Sequence, residues 1–495
     1  MEHLLSYIIF APVAMAFLMG VIRANVTLLK IGSIFSAMIV FLLVGLLIVN
    51  FESNAQMQFV IEYPWVIRAG FAYHVGVDAL SLVLLVVATL LMPPLYLYMV
   101  HRENRKGYWY NMMLLQTGVT GAILSLDLVL FYLFWETMLL PIFIMIGKYG
   151  NGMRQFNAMK ILLITVFGSL SMFFSILYLG YMYFDIRGVW SFDLDDLATL
   201  SLSVQATSWL AVGFLLAFAI KIPLLGFHAW LAPAYGASPT PAVVILSAIM
   251  AKLGAYGIWR FGYSLFEEIL IYYMPYLIVV ALAGMIYYAI RAVTEDNLRH
   301  MFAYASGSHL SLIALGVILA NSYAWAGSLY FIATHALASA GIFIMIGMTY
   351  WRFGYTDISK LGGVASRLPK FTFFFSFFAL SVAGLPGTGG FVAELLIILG
   401  AFEHSFWTGF FAATTVLLAM LYIFWMLQRT LFGEASPEVE NADVKDLSFK
   451  EMMVLPPLVI MLLFTGIAPS LFTPFFEPYI LESLRDFIPL LVEVR

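Results

Sequence analysis

Six side chains carry groups that take up and release protons, and all six stand in apolar surroundings. Glu136 sits in Phe131-Tyr-Leu-Phe-Trp-Glu136-Thr-Met-Leu-Leu-Pro141, and Lys221 in Ala217-Phe-Ala-Ile-Lys221-Ile-Pro223. Lys252 ends Ser247-Ala-Ile-Met-Ala-Lys252, and Glu394 follows the run Gly384-Leu-Pro-Gly-Thr-Gly-Gly390. His309 and His335 complete the set. An ionised side chain at a bilayer centre costs at least about 2.5–3.5 kcal/mol on insertion scales. A series of such groups, one per helix, reads as a proton relay. The competing reading is structural, with Glu136 and Lys221 as a buried ion pair. Such a pair seldom stabilises more than apolar packing would, although deleting one partner is costly. A pair accounts for two of the residues, and a relay for all of them. For His309 and His335 three roles are open: proton carriers, interior residues bonded to backbone, or a bis-histidine haem pair, for which nothing else nearby speaks. His228 and His300 fall at helix ends near the aqueous boundary, where they serve proton uptake or simply face water. Asp78, at the start of an apolar run, reads as a helix N-cap.

The elements that must position these groups are membrane helices. Of 495 residues, 63% are apolar and 11% charged, against about 45–50% and about 25% in soluble domains. The chain is therefore an integral membrane protein. A net charge of −4 offers no basic field for nucleic acid. The sequence has no cysteine, which excludes iron–sulfur ligation, zinc–thiolate sites, thiol nucleophiles and disulfides. The first apolar stretch lacks a basic leader and a cleavage site, and is expected to be retained.

A ruler of about 20 apolar residues gives fourteen expected spans, near 3–22, 28–50, 77–99, 111–127, 128–147, 158–184, 207–227, 241–263, 270–290, 298–319, 323–347, 371–402, 407–432 and 451–475. Spans four and five share one run broken by Asp127. Loops on one side hold 17 of the 24 Lys and Arg residues and those on the other side five. The positive-inside rule then puts both termini on the side away from the cytoplasm. Spans seven and twelve are interrupted by Pro and Gly, which free backbone groups that hydrocarbon does not tolerate unless protein or water satisfies them. Being an odd number of helices apart, the two cross in opposite directions, as in an inverted-repeat transporter. The expected architecture is all-α and polytopic, about fourteen spans with two inverted five-helix repeats. Its parts are N-terminal helices (1–110), a first repeat (111–263), a second (264–432) and a C-terminal loop and helix (433–495). No strand pattern is evident. Gly384–Gly390 lacks the Gly-Lys-Ser/Thr ending of a phosphate loop.

Phe134-Trp135-Glu136, Lys221-Ile-Pro-Leu-Leu-Gly-Phe-His228-Ala-Trp230-Leu, Ser238-Pro-Thr240 and Lys252-Leu-Gly-Ala-Tyr resemble the antiporter-like subunits of respiratory complex I. Ala303-Tyr304 to His309, His335, Gly384-Leu-Pro-Gly-Thr-Gly-Gly-Phe-Val-Ala-Glu394, and Gln428-Arg429 with Phe432-Gly433 continue the likeness in order over essentially the whole chain. Glu394 stands where L and N chains and the related multisubunit cation antiporters usually carry lysine, and so looks like the M-type branch (chain 4). The resemblance implies a subunit of an NADH:quinone oxidoreductase that binds no cofactor and moves protons. NAD, FMN, iron–sulfur clusters and quinone belong on that view to partner subunits, and the neighbours are L- and N-type chains in the bilayer. Two departures bear on proton uptake. Ala232-Pro-Ala-Tyr235 replaces the family's Pro-Asp-Ala-His, and Asn297-Leu-Arg299-His300 replaces Asp-x-Lys-Arg.

The expected cycle starts with Glu136 paired to Lys221. Weakening that pair leaves a desolvated ammonium that gives up its proton. Lys252, His309 and His335, with waters, carry it to Glu394, which discharges it. The alternatives are a sodium/proton antiporter of Mrp type, an antiporter-like subunit of a membrane-bound hydrogenase, and a scaffold whose charges only pack helices.

Overall fold

The computed structural model describes the backbone of residues 3–493 and the side chains of residues 3–485. Two apolar helices, α1 (Leu4–Val21) and α2 (Val26–Val49), open the chain, and Asn25 caps α2 by accepting from the Leu28 amide at 2.8 Å. An antiparallel hairpin of β1 (Gln58–Val66) and β2 (Phe71–Val77) follows, with Tyr63 opposite Tyr73. The hairpin corrects the expectation of no strand. Most of β1 is exposed on both faces, so the alternation that marks a half-buried strand is missing from its sequence.

Helices α3 (Ala79–Val100), α4 (Lys106–Leu124), α5 (Leu128–Thr137), α6 (Leu139–Tyr149) and α7 (Arg154–Arg187) come next. Asp78 caps α3 through the Ser81 amide, as its position suggests, and Asp127 caps α5 through the Leu130 amide at 2.8 Å. Asp127 thus divides the shared apolar run into two helices. A short α8 (Leu194–Ala198) leads to α9 (Val204–Lys221), which stops at its lysine, and the chain re-enters helix at α10 (Leu231–Ala237). The carbonyls freed in this break find partners. The Trp230 indole donates to Ile220 at 3.0 Å, and the Tyr288 hydroxyl donates to Pro223.

Helices α11 (Thr240–Ile245) and α12 (Lys252–Gly257) are joined by a π-helical turn, Leu246–Met250, and a second π turn, Ile258–Gly262, leads into α13 (Tyr263–Thr294), kinked at Phe266. The centre of the protein is α14 (Leu298–Ile318) with α15 (Ser322–Phe353), both buried along almost their whole length. The predicted break in span twelve separates α16 (Pro369–Val382) from α17 (Gly389–His404). After α18 (Phe406–Leu427) come a π turn to Phe432 and the short α19 (Pro437–Glu440) and α20 (Phe449–Met452). Helices α21 (Pro456–Ile467) and α22 (Glu477–Glu493) close the chain.

Among the described residues eleven helical segments are long and apolar enough to cross a membrane. The other predicted spans fall on α4, on the second arm of the continuous Thr240–Thr294 run, and on the broken pair α16 and α17. The terminal residues whose sidedness was expected lie outside the described ones.

Candidate functional site

Lys221 ends α9 at the first break. Its Nζ lies 4.6 Å from the centre of the Trp135 ring, buried and without a hydrogen-bond partner. A desolvated ammonium on an indole face gains about 2 kcal/mol, which partly offsets its removal from water. Glu136 is next in sequence to that tryptophan, half-buried beside Ser169, with Oε1 unpartnered. Its carboxylate and the Lys221 ammonium feel each other's field but do not close an ion pair. The expected Glu136–Lys221 pair is therefore open here, with the lysine held by tryptophan instead.

The other four residues converge. Lys252 is 1% exposed and donates to the Ser247 carbonyl at 2.5 Å, so it has a backbone partner that its sequence did not announce. It acts electrostatically on both His309 and His335. The two imidazoles are edge to face with centroids 5.1 Å apart, and each lies 5.5 Å from the Phe331 ring. Nε2 of His309 is 3.8 Å from Oε1 of Glu394. Both ring nitrogens of His309, Nδ1 of His335 and Oε1 of Glu394 lack hydrogen-bond partners. Buried polar atoms left this way are costly, and a site with several of them is suited to water or to a proton in transit.

The second break supplies Glu394 with its place. Gly384 has φ +74°, and a Cβ there would stand 2.5 Å from Oε2 of Glu394. Only glycine gives both that backbone angle and that approach. Helices α9 and α12 pack closely as well, because a Cβ on Gly254 would meet the Phe218 carbonyl at 2.7 Å. The structure thus forms two groups, Glu136 with Lys221 and Lys252 with His309, His335 and Glu394, on adjoining helices. His228, with Nδ1 unpartnered, packs on Tyr288, and His300 lies 3.8 Å from Glu295.

Residues that the sequence did not single out complete the site. Ser247 Oγ bonds Ser306 Oγ at 3.2 Å and Ser339 Oγ at 2.5 Å. Ser306 lies three residues before His309 and Ser339 four after His335. Hydroxyls one helical turn from a titratable group share its face, and that spacing is the signal that was there to be used. A buried ion pair, Arg260 Nη2 to Asp78 at 2.5 Å, locks the start of α3 to the second π turn.

Both the sequence and the fold around these buried titratable side chains have counterparts. The family described as NADH:quinone oxidoreductase/Mrp antiporter, TM, matches residues 125–421. The chain belongs to that family. A protein named NADH-quinone oxidoreductase subunit M from Rhodobacter capsulatus is 32% identical over 98% of this chain and 97% of its own length. The Escherichia coli protein of the same name is 31% identical over 84% of this chain and 83% of its own. A chain of respiratory complex I from Thermus thermophilus superposes with a TM-score of 0.86 at 27% identity, over 98% of this chain and 99% of that one. A chain of the Mrp complex from Dietzia shares the fold, with a TM-score of 0.87 at 20% identity over 99% of each. The M-type likeness of this antiporter-family chain, read first from Glu394, stands.

Proposed function

We propose that this chain is the proton-translocating M-type membrane subunit of an NADH:quinone oxidoreductase. Supporting the reading most strongly is the buried cluster of Lys252, His309, His335 and Glu394 beside a broken helix. Chemistry of this kind needs groups that change charge in a low-dielectric place, and partner atoms left open for a proton. Glu136 and Lys221 form the first station. With the pair open and the ammonium resting on Trp135, the lysine proton is free to move toward Lys252, then past the imidazoles to Glu394 and out.

The basic loops face the cytoplasm of a bacterial cell on this reading, and both termini face the periplasm. The parts are N-terminal helices (1–110), two inverted halves (111–263 and 264–432) and the C-terminal segment (433–495). On this reading the chain itself binds no redox group. NAD, FMN, iron–sulfur clusters and quinone act in partner subunits, and L- and N-type chains flank it in the membrane. Coupling reaches it through the row of midplane charges.

The test uses the assembled complex in inverted membrane vesicles, with quinone reduction and NADH-driven acidification measured together. Glu394→Gln should abolish acidification in a complex that still assembles. Normal acidification in that variant would sink the relay. Sodium-dependent proton exchange without NADH would instead make the chain a cation antiporter.

A further inference from the structure

The basic face holds a cavity of about 390 Å³ whose lining includes Tyr98, Thr240, Arg299 and Gly347. Two helical turns deeper lies the serine node of Ser247, Ser306 and Ser339, whose Ser247 carbonyl holds the Lys252 ammonium. The Tyr235 hydroxyl, on α10, is fully buried and faces Ser247 and Ser306 without closing a hydrogen bond to either. Between cavity and node stands an aromatic contact. The Tyr235 ring packs edge-on against Phe343, with centroids 5.5 Å apart and planes at 77°.

The order along α15 is telling. Gly347, Phe343, Ser339 and His335 recur every four residues and so fall along one side of the helix. From the cavity inward the row reads wall, aromatic ring, hydroxyl, imidazole. A hydroxyl both donates and accepts, so linked hydroxyls pass protons by successive hops. An apolar constriction does the opposite, because it excludes the water that would carry them. Leaving a buried hydroxyl unpartnered is costly, a cost that Tyr235→Phe would remove.

We propose that Tyr235 and Phe343 form a gate between the basic-face cavity and the hydroxyl node. Phe343 is the dry seal. Tyr235 carries the hydroxyl that connects the two sides when the rings part, and protons crossing there reach Lys252 through the serines. The gate is the uptake route of this chain, in the place where its sequence departs from the family pattern at Ala232–Tyr235. It rests on the relay reading through Lys252.

The test uses the assembled complex in inverted vesicles. Tyr235→Phe keeps the ring and removes the hydroxyl, and should lower quinone reduction and acidification together by about threefold or more. Phe343→Ala opens the seal and should cut acidification per NADH oxidised by about half or more, while Phe343→Leu restores it. Wild-type behaviour of Tyr235→Phe overturns the proposal, as does a normal ratio in Phe343→Ala or an equal defect in Phe343→Leu. If Phe343→Ala does not assemble, the isosteric Tyr235→Phe decides alone. Lys252→Met separates the two readings. Normal pumping in that variant removes the relay itself, whereas a block there with both gate variants normal removes only the gate.

Discussion

The ammonium of Lys252 donates to the carbonyl oxygen of Ser247, five residues earlier, across a π-helical turn. In an α-helix that carbonyl would accept from the Ala251 amide. Here the Ala251 amide reaches back to Leu246 at 3.1 Å, which leaves the Ser247 oxygen for the lysine. The wider turn is thus what seats a cation in the protein centre without a carboxylate on it. It also ties the cation to the serine node, because the same Ser247 carries the hydroxyl that meets Ser306 and Ser339.

Lys252→Met keeps the length and apolar stem of the side chain and removes the proton carrier. The Ser247 carbonyl loses a donor but gains no clash, so the complex should assemble. Acidification by inverted vesicles should fall by about a hundredfold or more, the scale at which positioned proton carriers act. Full proton translocation in this variant would show that the ammonium is not on the path.

Gly384→Ala tests the second break. The residue sits at φ +74° with Oε2 of Glu394 2.5 Å from where a Cβ would be. A left-handed non-glycine residue costs about 1–2 kcal/mol, and the carboxylate must also move away. Lower thermal stability together with a loss of acidification larger than the loss of assembled complex is expected. A variant that pumps normally per assembled complex would mean that the position of Glu394 is uncritical.

Much of this was legible beforehand because hydrocarbon punishes charge and free backbone so severely. The breaks at Lys221–Trp230 and at Gly384, and the burial of Lys252, His309, His335 and Glu394, follow from residue type and position alone. The hairpin was not legible, since its mostly exposed first strand lacks alternation. Nor was the open Glu136–Lys221 pair, because spacing along the chain does not say that an indole will take the ammonium. The serine node was hidden for another reason. The spacing of Ser306 and Ser339 from the histidines puts each hydroxyl on its histidine's face, but nothing in the sequence says that Ser247 meets both, and the π turn that aims the Ser247 carbonyl has no sequence signature.

Arg260 and Asp78 should behave as a coupled unit. The pair is buried, with side chains 6% and 1% exposed, and the guanidinium also reaches the Ser81 hydroxyl at 3.1 Å and the Tyr256 hydroxyl at 3.3 Å. Removing one partner strands the other charge and should cost about 3–5 kcal/mol. Arg260→Met or Asp78→Asn alone should lower the thermal stability of the complex sharply, and the double variant should recover part of the loss. Additive losses would show that the two residues act independently.

The docking of the hairpin should depend on pH. His74, on β2, bonds Asp193 through Nδ1, and the Ala72 amide donates to Asp127 at 3.2 Å. Burial works against a charged His74, but the Asp193 hydrogen bond and the charges of Asp193, Glu62 and Asp195 outweigh it and raise its pKa above the ordinary histidine value. Burial pushes the Asp127 carboxyl up to about 6, against the amides that favour its ionised form. Asp195 is also raised, by burial and then by Asp193. His74 and Asp127 bind protons more readily in the docked state, so the stabilisation is greatest at low pH. The Asp127 contribution fades from its ordinary value of 3.8 to about 6. That of His74 is complete below the ordinary histidine range and is lost as the pH rises through its raised value. Amide hydrogen exchange over Phe71–Val77, corrected for intrinsic rates, should therefore show more frequent opening from pH 6 toward 8. His74→Ala should open more readily at pH 6 and lose most of the pH dependence above it. Protection that stays constant across that range in the unaltered protein would mean that the His74–Asp193 contact does not hold the hairpin in place.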